Sequence, residues 1–228
     1  MIDTILFDMD NTILDFNKAE RNALTKALTK LDIEPTEHTL HRYHELNIAQ
    51  WKLLELGKLT RKEVKLRRYR LLFEELGVER SPEKAVEIYE GFLGQGHFYM
   101  EGAEELLQSL SQSYRLYIVT NGTASVQKGR VESAGLRNYV RDIFVSETLG
   151  YNKPDRRYFE LCFAQIPDFH RENAIIVGDS LSSDIQGGIN AGLTTVWLNT
   201  EGAVNDSGIS PDYEISTLSE LKKLLTLL

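Results

Sequence analysis

Short runs that are continuously apolar recur along the chain, separated by longer stretches of helical period. The runs are Ile5-Leu6-Phe7, Tyr114-Arg115-Leu116-Tyr117-Ile118-Val119-Thr120, Ile143-Phe144-Val145, Ala174-Ile175-Ile176-Val177-Gly178 and Thr194-Thr195-Val196-Trp197-Leu198. A strand covered on both faces is apolar at nearly every position, whereas a half-exposed strand alternates. The pattern therefore predicts a parallel sheet with helices on both sides, an α/β fold. Helical spacing predicts the intervening helices over 102–112, 124–133, 155–165, 184–191 and 217–227. From about residue 16 to 95 the character changes: the chain is charged, helical in period and almost free of β-branched runs. Thr36, Thr60 and Ser81 suit N-caps, Glu63 completes a capping box with Thr60, and Pro82 suits a first helical position. With Gly57 and Gly77 as stops, four helices are expected near 17–31, 37–56, 61–76 and 82–94. The first strand is thus cut off from the rest by a helical insertion, and must join their sheet to be buried. The domains read as a core of 1–15 and 99–228 and an inserted helical domain of 16–98, with one loose connection at 200–212.

Composition narrows the function. The 228 residues suffice for a substantial core plus an insert. A net charge of −8 opposes general attraction to nucleic acid or an anionic membrane, so neither is an expected partner, while a small anion can still be held locally. No run approaches the ~18 apolar residues of a membrane span. Asp3, Asp8 and Asp10 stand where an export signal would carry a basic flank and apolar core, and a cytoplasmic protein is expected. The single cysteine, Cys162, lies in an amphipathic run without a paired histidine and reads as a packed hydrophobe. In the third helix Arg61, Lys62, Lys65, Arg67, Arg68 and Arg70 read as a solvated face, and Tyr43, Trp51 and Tyr69 as core rather than base-stacking surfaces.

Four segments carry candidate chemistry. Asp8-Met9-Asp10-Asn11-Thr12 follows the first strand, where open α/β sheets bind ligands. Two acids so placed repel unless a cation or shared proton separates them, or else they mark an ordinary solvated turn. Ile118-Val119-Thr120-Asn121-Gly122-Thr123 offers a hydroxyl and backbone N–H groups to an anion, or is a plain strand-to-helix turn. Lys153 precedes Pro154 at a helix start and is either solvated or reaches back to phosphate and carboxylates. Asp179 and Asp184, after Ile176-Val177-Gly178, are either metal ligands or helix caps.

In this order, Asp8-x-Asp10-x-Thr12, Thr120, Lys153-Pro154 and Gly178-Asp179-x-x-x-x-Asp184 resemble the four motifs of the haloacid dehalogenase-like (HAD) superfamily, along the whole chain. The resemblance implies a HAD-like Rossmannoid sheet with a helical cap inserted after the first strand. It implies that Asp8 attacks phosphorus to form an aspartyl-phosphate, and that Asp10 is the acid for the leaving oxygen and then the base for water. Lys153, Thr120 and the N–H groups of Asn121 and Gly122 would hold the transferred group. Asp8, the backbone carbonyl of Asp10 and Asp179 would ligate Mg²⁺, with Mn²⁺ or Co²⁺ as substitutes; Asp184 would act directly or through a water or Lys153. Relatives that cleave carbon–halogen bonds, or use a Schiff-base lysine on phosphonates, generally lack an acid at the position of Asp10, which favours phosphate esters.

The segments Asp8–Phe16, Gly150–Phe159 and Gly178–Gly192 are similar to bacterial pyrimidine 5′-nucleotidases, which clear nucleoside monophosphates, including noncanonical ones, from the nucleotide pool. A nucleoside monophosphate is therefore the expected small-molecule partner, with the protein a monomer or small homo-oligomer. Lys58 and Arg61, flanking Gly57, are candidates to contact it. The alternative is a HAD phosphatase or phosphomutase acting on a small sugar phosphate or phosphoglycolate. A silent HAD-like binding module would have lost Asp8, Asp10 or Lys153, and all three are present. Hinges for the insertion are expected near Asp15-Phe16 and Phe98-Met100.

Overall fold

The computed structural model describes all 228 residues. Its contacts divide the chain into two compact units, one of Met1–Phe16 with His97–Leu228 and one of Asn17–Gly96.

The second unit is made by four helices, α1 (Phe16–Lys30, entering from the first unit), α2 (Glu37–Glu55), α3 (Arg61–Leu76) and α4 (Pro82–Leu93). Their starts are the expected ones. Thr36 Oγ1 accepts the Thr39 N–H at 3.1 Å, Ser81 Oγ accepts that of Lys84 at 3.2 Å, and both halves of the Thr60–Glu63 capping box form. Tyr43, Tyr69 and Tyr89 are fully buried, with ring centroids 5.0, 5.6 and 6.2 Å apart. Trp51 is half-buried beneath the Arg61 guanidinium, 5.4 Å from its ring centre.

Arg68 departs from the expected solvated face. It is only 2% exposed and its guanidinium lies 5.0–5.7 Å from the three tyrosine rings. The reason is its spacing: Val64, Arg68 and Leu72 recur every four residues on the buried stripe of α3. A polar chain crosses the helices to meet its charge. Arg68 donates to Asn47 Oδ1 and Asn47 to Glu20 Oε1, both at 2.6 Å, and Glu20 Oε2 pairs with His44 Nδ1 at 2.5 Å. Lys62, Arg67 and Arg70 stay exposed.

In the first unit six parallel strands form one sheet in the order β3-β2-β1-β4-β5-β6. They are β1 (Thr4–Phe7), β2 (Arg115–Thr120), β3 (Asp142–Val145), β4 (Ala174–Gly178), β5 (Thr194–Leu198) and β6 (Tyr213–Ile215). The isolated first strand is central, between β2 and β4. Alternate residues feed two cores. Ile5, Phe7, Ile118 and Val177 pack with α5 (Ala103–Leu110) and α10 (Leu218–Leu225). Leu6, Val119 and Ile176 pack with α8 (Arg156–Phe163) and the end of α9 (Gln186–Ala191). At roughly 1.5–3 kcal/mol per fully buried large aliphatic chain, this double coverage fixes the strands where the continuous apolar runs predict them. Cys162 lies in the second of these cores, and burial pushes its thiol up to about 12.

Helices α6 (Ala124–Ala134) and α7 (Ser146–Leu149) complete the unit. Neither α7 nor β6 is foreseen by the pattern, since each is short, and in β6 only Ile215 is buried. Strand β6 is docked by Asp212, whose carboxylate accepts the N–H and hydroxyl of Thr195, both at 2.8 Å. The two crossings to the second unit are tied together within the first. Asp15 donates its N–H to Phe98 O at 2.8 Å, Met100 donates to Ile13 O at 3.0 Å, and Leu14 bridges Tyr99.

Candidate active site

Strands β2, β1 and β4 end side by side, with Phe7 in register with both Ile118 and Val177, at the point where strand order reverses. In open α/β sheets such a point is a crevice into which the loops following the strands deliver side chains. Asp8 continues β1, its N–H donating to Val177 O at 2.9 Å. The chain then turns back: the N–H groups of Ile13 and Leu14 both donate to Met9 O, and Asn11 adopts a positive φ of 57°. Met9, Ile13 and Leu14 are fully buried. This apolar anchor holds Asp8 and Asp10 at the sheet edge.

Lys153, 1% exposed, lies at the centre of the charges. Its ammonium donates to Asp8 Oδ1 at 2.5 Å, Asp184 Oδ1 at 2.6 Å and Val119 O at 2.9 Å, so all three N–H bonds are used. Asn121 clamps the lysine's backbone, accepting its N–H and donating to its carbonyl, each at 2.9 Å, and the Lys153-Pro154 peptide is cis. Burial alone would lower the lysine's pKa, but Asp184 and Asp8 outweigh it and hold the ammonium above its ordinary value.

Asp184, also 1% exposed, comes from a wide helical turn, Leu181–Ile185, that precedes α9. Its Oδ2 accepts the Ser180 N–H at 3.1 Å. A side chain at Gly178 would collide with that of Asp184, so β4 must end in glycine for the acid to turn in. Asp179 is fixed through its carbonyl, which accepts the Trp197 indole N–H at 2.8 Å.

Carboxylate oxygens of Asp8, Asp179 and Asp184 all lie within 4.8 Å of one another. One lysine charge cannot balance three carboxylates. Burial pushes Asp8 up to about 7 despite Lys153, with Asp184 and Asp10 adding to the rise. Asp179 is raised well above the carboxylate range by burial and then by Asp8 and Asp184. A compact, all-oxygen set short of positive charge fits a hard divalent cation.

The carboxylate of Asp10 is not in this group. It turns toward α6, where Oδ2 accepts Gln127 Nε2 at 2.7 Å and Oδ1 pairs with Arg130 Nη1. Gln127 Oε1 accepts from Arg130 at 3.1 Å, which fixes the amide so that Nε2 also donates to Thr120 Oγ1 at 2.9 Å. That hydroxyl already accepts the Gly122 N–H at 3.1 Å. With both acceptor positions filled, the Thr120 O–H is left to donate, as a phosphoryl oxygen requires.

The structure thus gathers Asp8, Asp10, Thr120, Asn121, Gly122, Lys153, Asp179 and Asp184 at one sheet edge. The Gly122 N–H serves Thr120, and Asn121 serves Lys153. Lys58 and Arg61 belong to the second unit, where Lys58 is exposed in the turn before α3. Sequence reasoning missed Gln127 and Arg130. Their signal is the spacing on α6, whose buried stripe of Val126, Gln127, Arg130, Val131 and Ala134 places two polar residues three apart facing inward.

Comparison with known proteins identifies the family. Residues 5–198 match the family model described as haloacid dehalogenase-like hydrolase. The chain is 42% identical over 224 residues to the HAD-hydrolase YfnB of Bacillus subtilis, covering 98% of this chain and 95% of YfnB. A crystal structure of YfnB, described as bound to magnesium and as revealing interdomain movement, superposes with a TM-score of 0.94 over 98% of each chain. The pyrimidine 5′-nucleotidase PynA of Streptococcus pneumoniae is 38% identical, covering 95% of this chain and 92% of PynA. The pyrimidine 5′-nucleotidase YjjG of Escherichia coli is 32% identical, covering 98% of this chain and 97% of YjjG. With a family match over most of its length and such relatives over nearly all of it, the chain belongs to the haloacid dehalogenase-like hydrolases.

Proposed function

We propose that this hydrolase is a Mg²⁺-dependent phosphatase of nucleoside 5′-monophosphates, with pyrimidine nucleotides preferred. The observation that carries the chemistry is Lys153 spanning Asp8 and Asp184 while the Asp10 carboxylate stands apart, held by α6. Lys153 holds Asp8 Oδ1, which leaves Oδ2 to attack phosphorus and form an aspartyl-phosphate. The Thr120 hydroxyl donates to a phosphoryl oxygen, and the ammonium, its N–H bonds already taken, favours the growing negative charge through its own charge. Asp10, two residues on, protonates the departing 5′-oxygen and then takes a proton from the water that releases phosphate. Asp8, Asp179 and the backbone carbonyl of Asp10 would hold the metal, with Asp184 ordering Lys153 and the bound water. When bound, Mg²⁺ supplies the positive charge that lets an ionised Asp8 approach an anionic phosphate, and Mn²⁺ or Co²⁺ serve in its place.

The insertion at 16–98 is the cap that chooses the substrate. Support for a pyrimidine nucleotide comes from PynA and YjjG, both pyrimidine 5′-nucleotidases. The test is phosphate release from a panel of nucleotides, sugar phosphates and phosphoglycolate, with and without Mg²⁺. UMP, dUMP or dTMP should lead. Full activity after exhaustive chelation, or a panel led by sugar phosphates, would overturn the metal or the substrate reading respectively.

A further inference from the structure

Arg130 is wholly buried, yet its Nε and Nη2 meet no acceptor among the protein's own atoms. A buried guanidinium with two idle nitrogens is costly, and an apolar side chain of the same size would pack there at less expense to stability. What the charge does reach is specific. Nη1 pairs with Asp10 and donates to Gln127, and the guanidinium carbon lies over the Phe16 ring, 5.6 Å from its centre. Phe16 is itself held by its N–H bond to Asn11 Oδ1 at 3.0 Å, in the same turn as Asp10. Gln127 closes the loop by donating to both Asp10 and Thr120. The Asp10 side chain is 27% exposed, so without these partners nothing packed around it would fix its direction.

We infer that Gln127 and Arg130 are positioning residues: together they aim the Asp10 carboxylate, and Gln127 alone also sets the direction of the Thr120 O–H. The two groups on either side of the transferred phosphoryl are thereby locked to one turn of α6. This inference rests on the reading of Asp10 as the acid for the leaving oxygen, and separates into two effects. Removing Arg130 frees Asp10 directly and touches Thr120 only through Gln127, whose amide still donates to it. Removing Gln127 frees Asp10 and also lets the Thr120 hydroxyl rotate away from phosphate.

The test uses the Mg²⁺-loaded full chain and the variants Arg130→Met, Arg130→Lys, Gln127→Leu and Asp10→Asn, with UMP and p-nitrophenyl phosphate as substrates. A poor leaving group needs the acid and p-nitrophenolate does not. Arg130→Met and Gln127→Leu should therefore lose about tenfold or more in kcat with UMP and about threefold or less with p-nitrophenyl phosphate. In the Asp10→Asn background Arg130→Met should cost no more than about a further factor of two, because the carboxylate it aims is already gone, whereas Gln127→Leu keeps the part of its loss that runs through Thr120. Arg130→Lys should recover most of the loss. By calorimetry, binding of inorganic phosphate should weaken more in Gln127→Leu than in Arg130→Met. Thermal melts should show Arg130→Met as stable as the parent, and if it fails to fold, Gln127→Leu carries the same test. Equal losses on both substrates, an Arg130→Met loss that multiplies with Asp10→Asn, or a lysine no better than methionine would overturn the positioning role. If Asp10→Asn itself shows no bias between the substrates, it is the general-acid reading that fails.

Discussion

Lys153 decides whether the carboxylate cluster is tolerable. Replacing it with methionine would leave Asp8 and Asp184, 6% and 1% exposed, without their common counter-charge. Breaking a buried pair in this way costs about 3–5 kcal/mol. Lys153→Met should therefore be inactive, and urea denaturation with a chelator present should give a stability lower by about that much. The same imbalance sets a pH dependence. Asp8 binds its proton more tightly folded than unfolded, at about 7 against an ordinary 3.8. Its contribution to stability is complete below about pH 4 and is lost as pH rises through 7. Chelated protein should thus melt at a lower temperature at pH 8 than at pH 5, Mg²⁺ should raise the melting temperature more at pH 8, and Asp8→Asn, which should be catalytically dead, should flatten the slope. A chelated parent protein that is equally stable at both pH values would refute this. At this scale Asp8, Asp10 and Asp179 are legible because they come just after an apolar run, and Lys153 because Pro154 follows it at a helix start. Gln127 and Arg130 are hidden because a polar pair on a buried stripe looks, from spacing alone, like a weak amphipathic helix.

Elements are legible in proportion to how much apolar surface they bury. The five runs that enter two cores are found where the pattern puts them. The three-residue β6 and the four-residue α7 each bury a single residue, Ile215 and Ser146, which leaves spacing nothing to encode. The wide turn at Leu181–Ile185 is hidden for another reason: the sequence signals a helix start, but not that one turn is loosened to bring Asp184 inward. In the helical unit the caps are the readable feature, and they carry a measurable share of stability. Thr60→Ala removes one side of the capping box and should lower the unfolding free energy of the chain by about 1 kcal/mol, read by denaturant titration. In the core, Gly122→Ala makes a sharper prediction. A Cβ there would strike the Gln127 side chain, so the variant should fold normally yet shift the ratio of UMP to p-nitrophenyl phosphate turnover as Gln127→Leu does. Unchanged kinetics would mean that Gln127 moves aside without consequence.

For the molecule as a whole, the division of labour follows from where the chemistry is spent. On the proposed reading, the named site residues of the first unit are taken up by phosphate, metal or one another. The break in sequence character near residues 16 and 95 makes the insertion legible, and the contacts divide the chain at Phe16/Asn17 and Gly96/His97. The base preference is not legible, because it depends on a few polar contacts whose spacing has no period and no fixed motif. On that reading the second unit is left to discriminate between substrates that share a phosphate. Pyrimidine monophosphates should exceed sugar phosphates in kcat/KM by about tenfold or more, a gap of roughly 1.4 kcal/mol in transition-state binding. Lys58→Ala and Arg61→Ala should change this ratio while leaving p-nitrophenyl phosphate turnover within about twofold of the parent, since that substrate carries no base or sugar for the cap to hold. Arg61→Ala also removes the cover over Trp51, so a change in tryptophan fluorescence should accompany it. If both variants lower the two turnovers equally, the turn before α3 serves closure or phosphate binding, and base recognition lies elsewhere in the second unit.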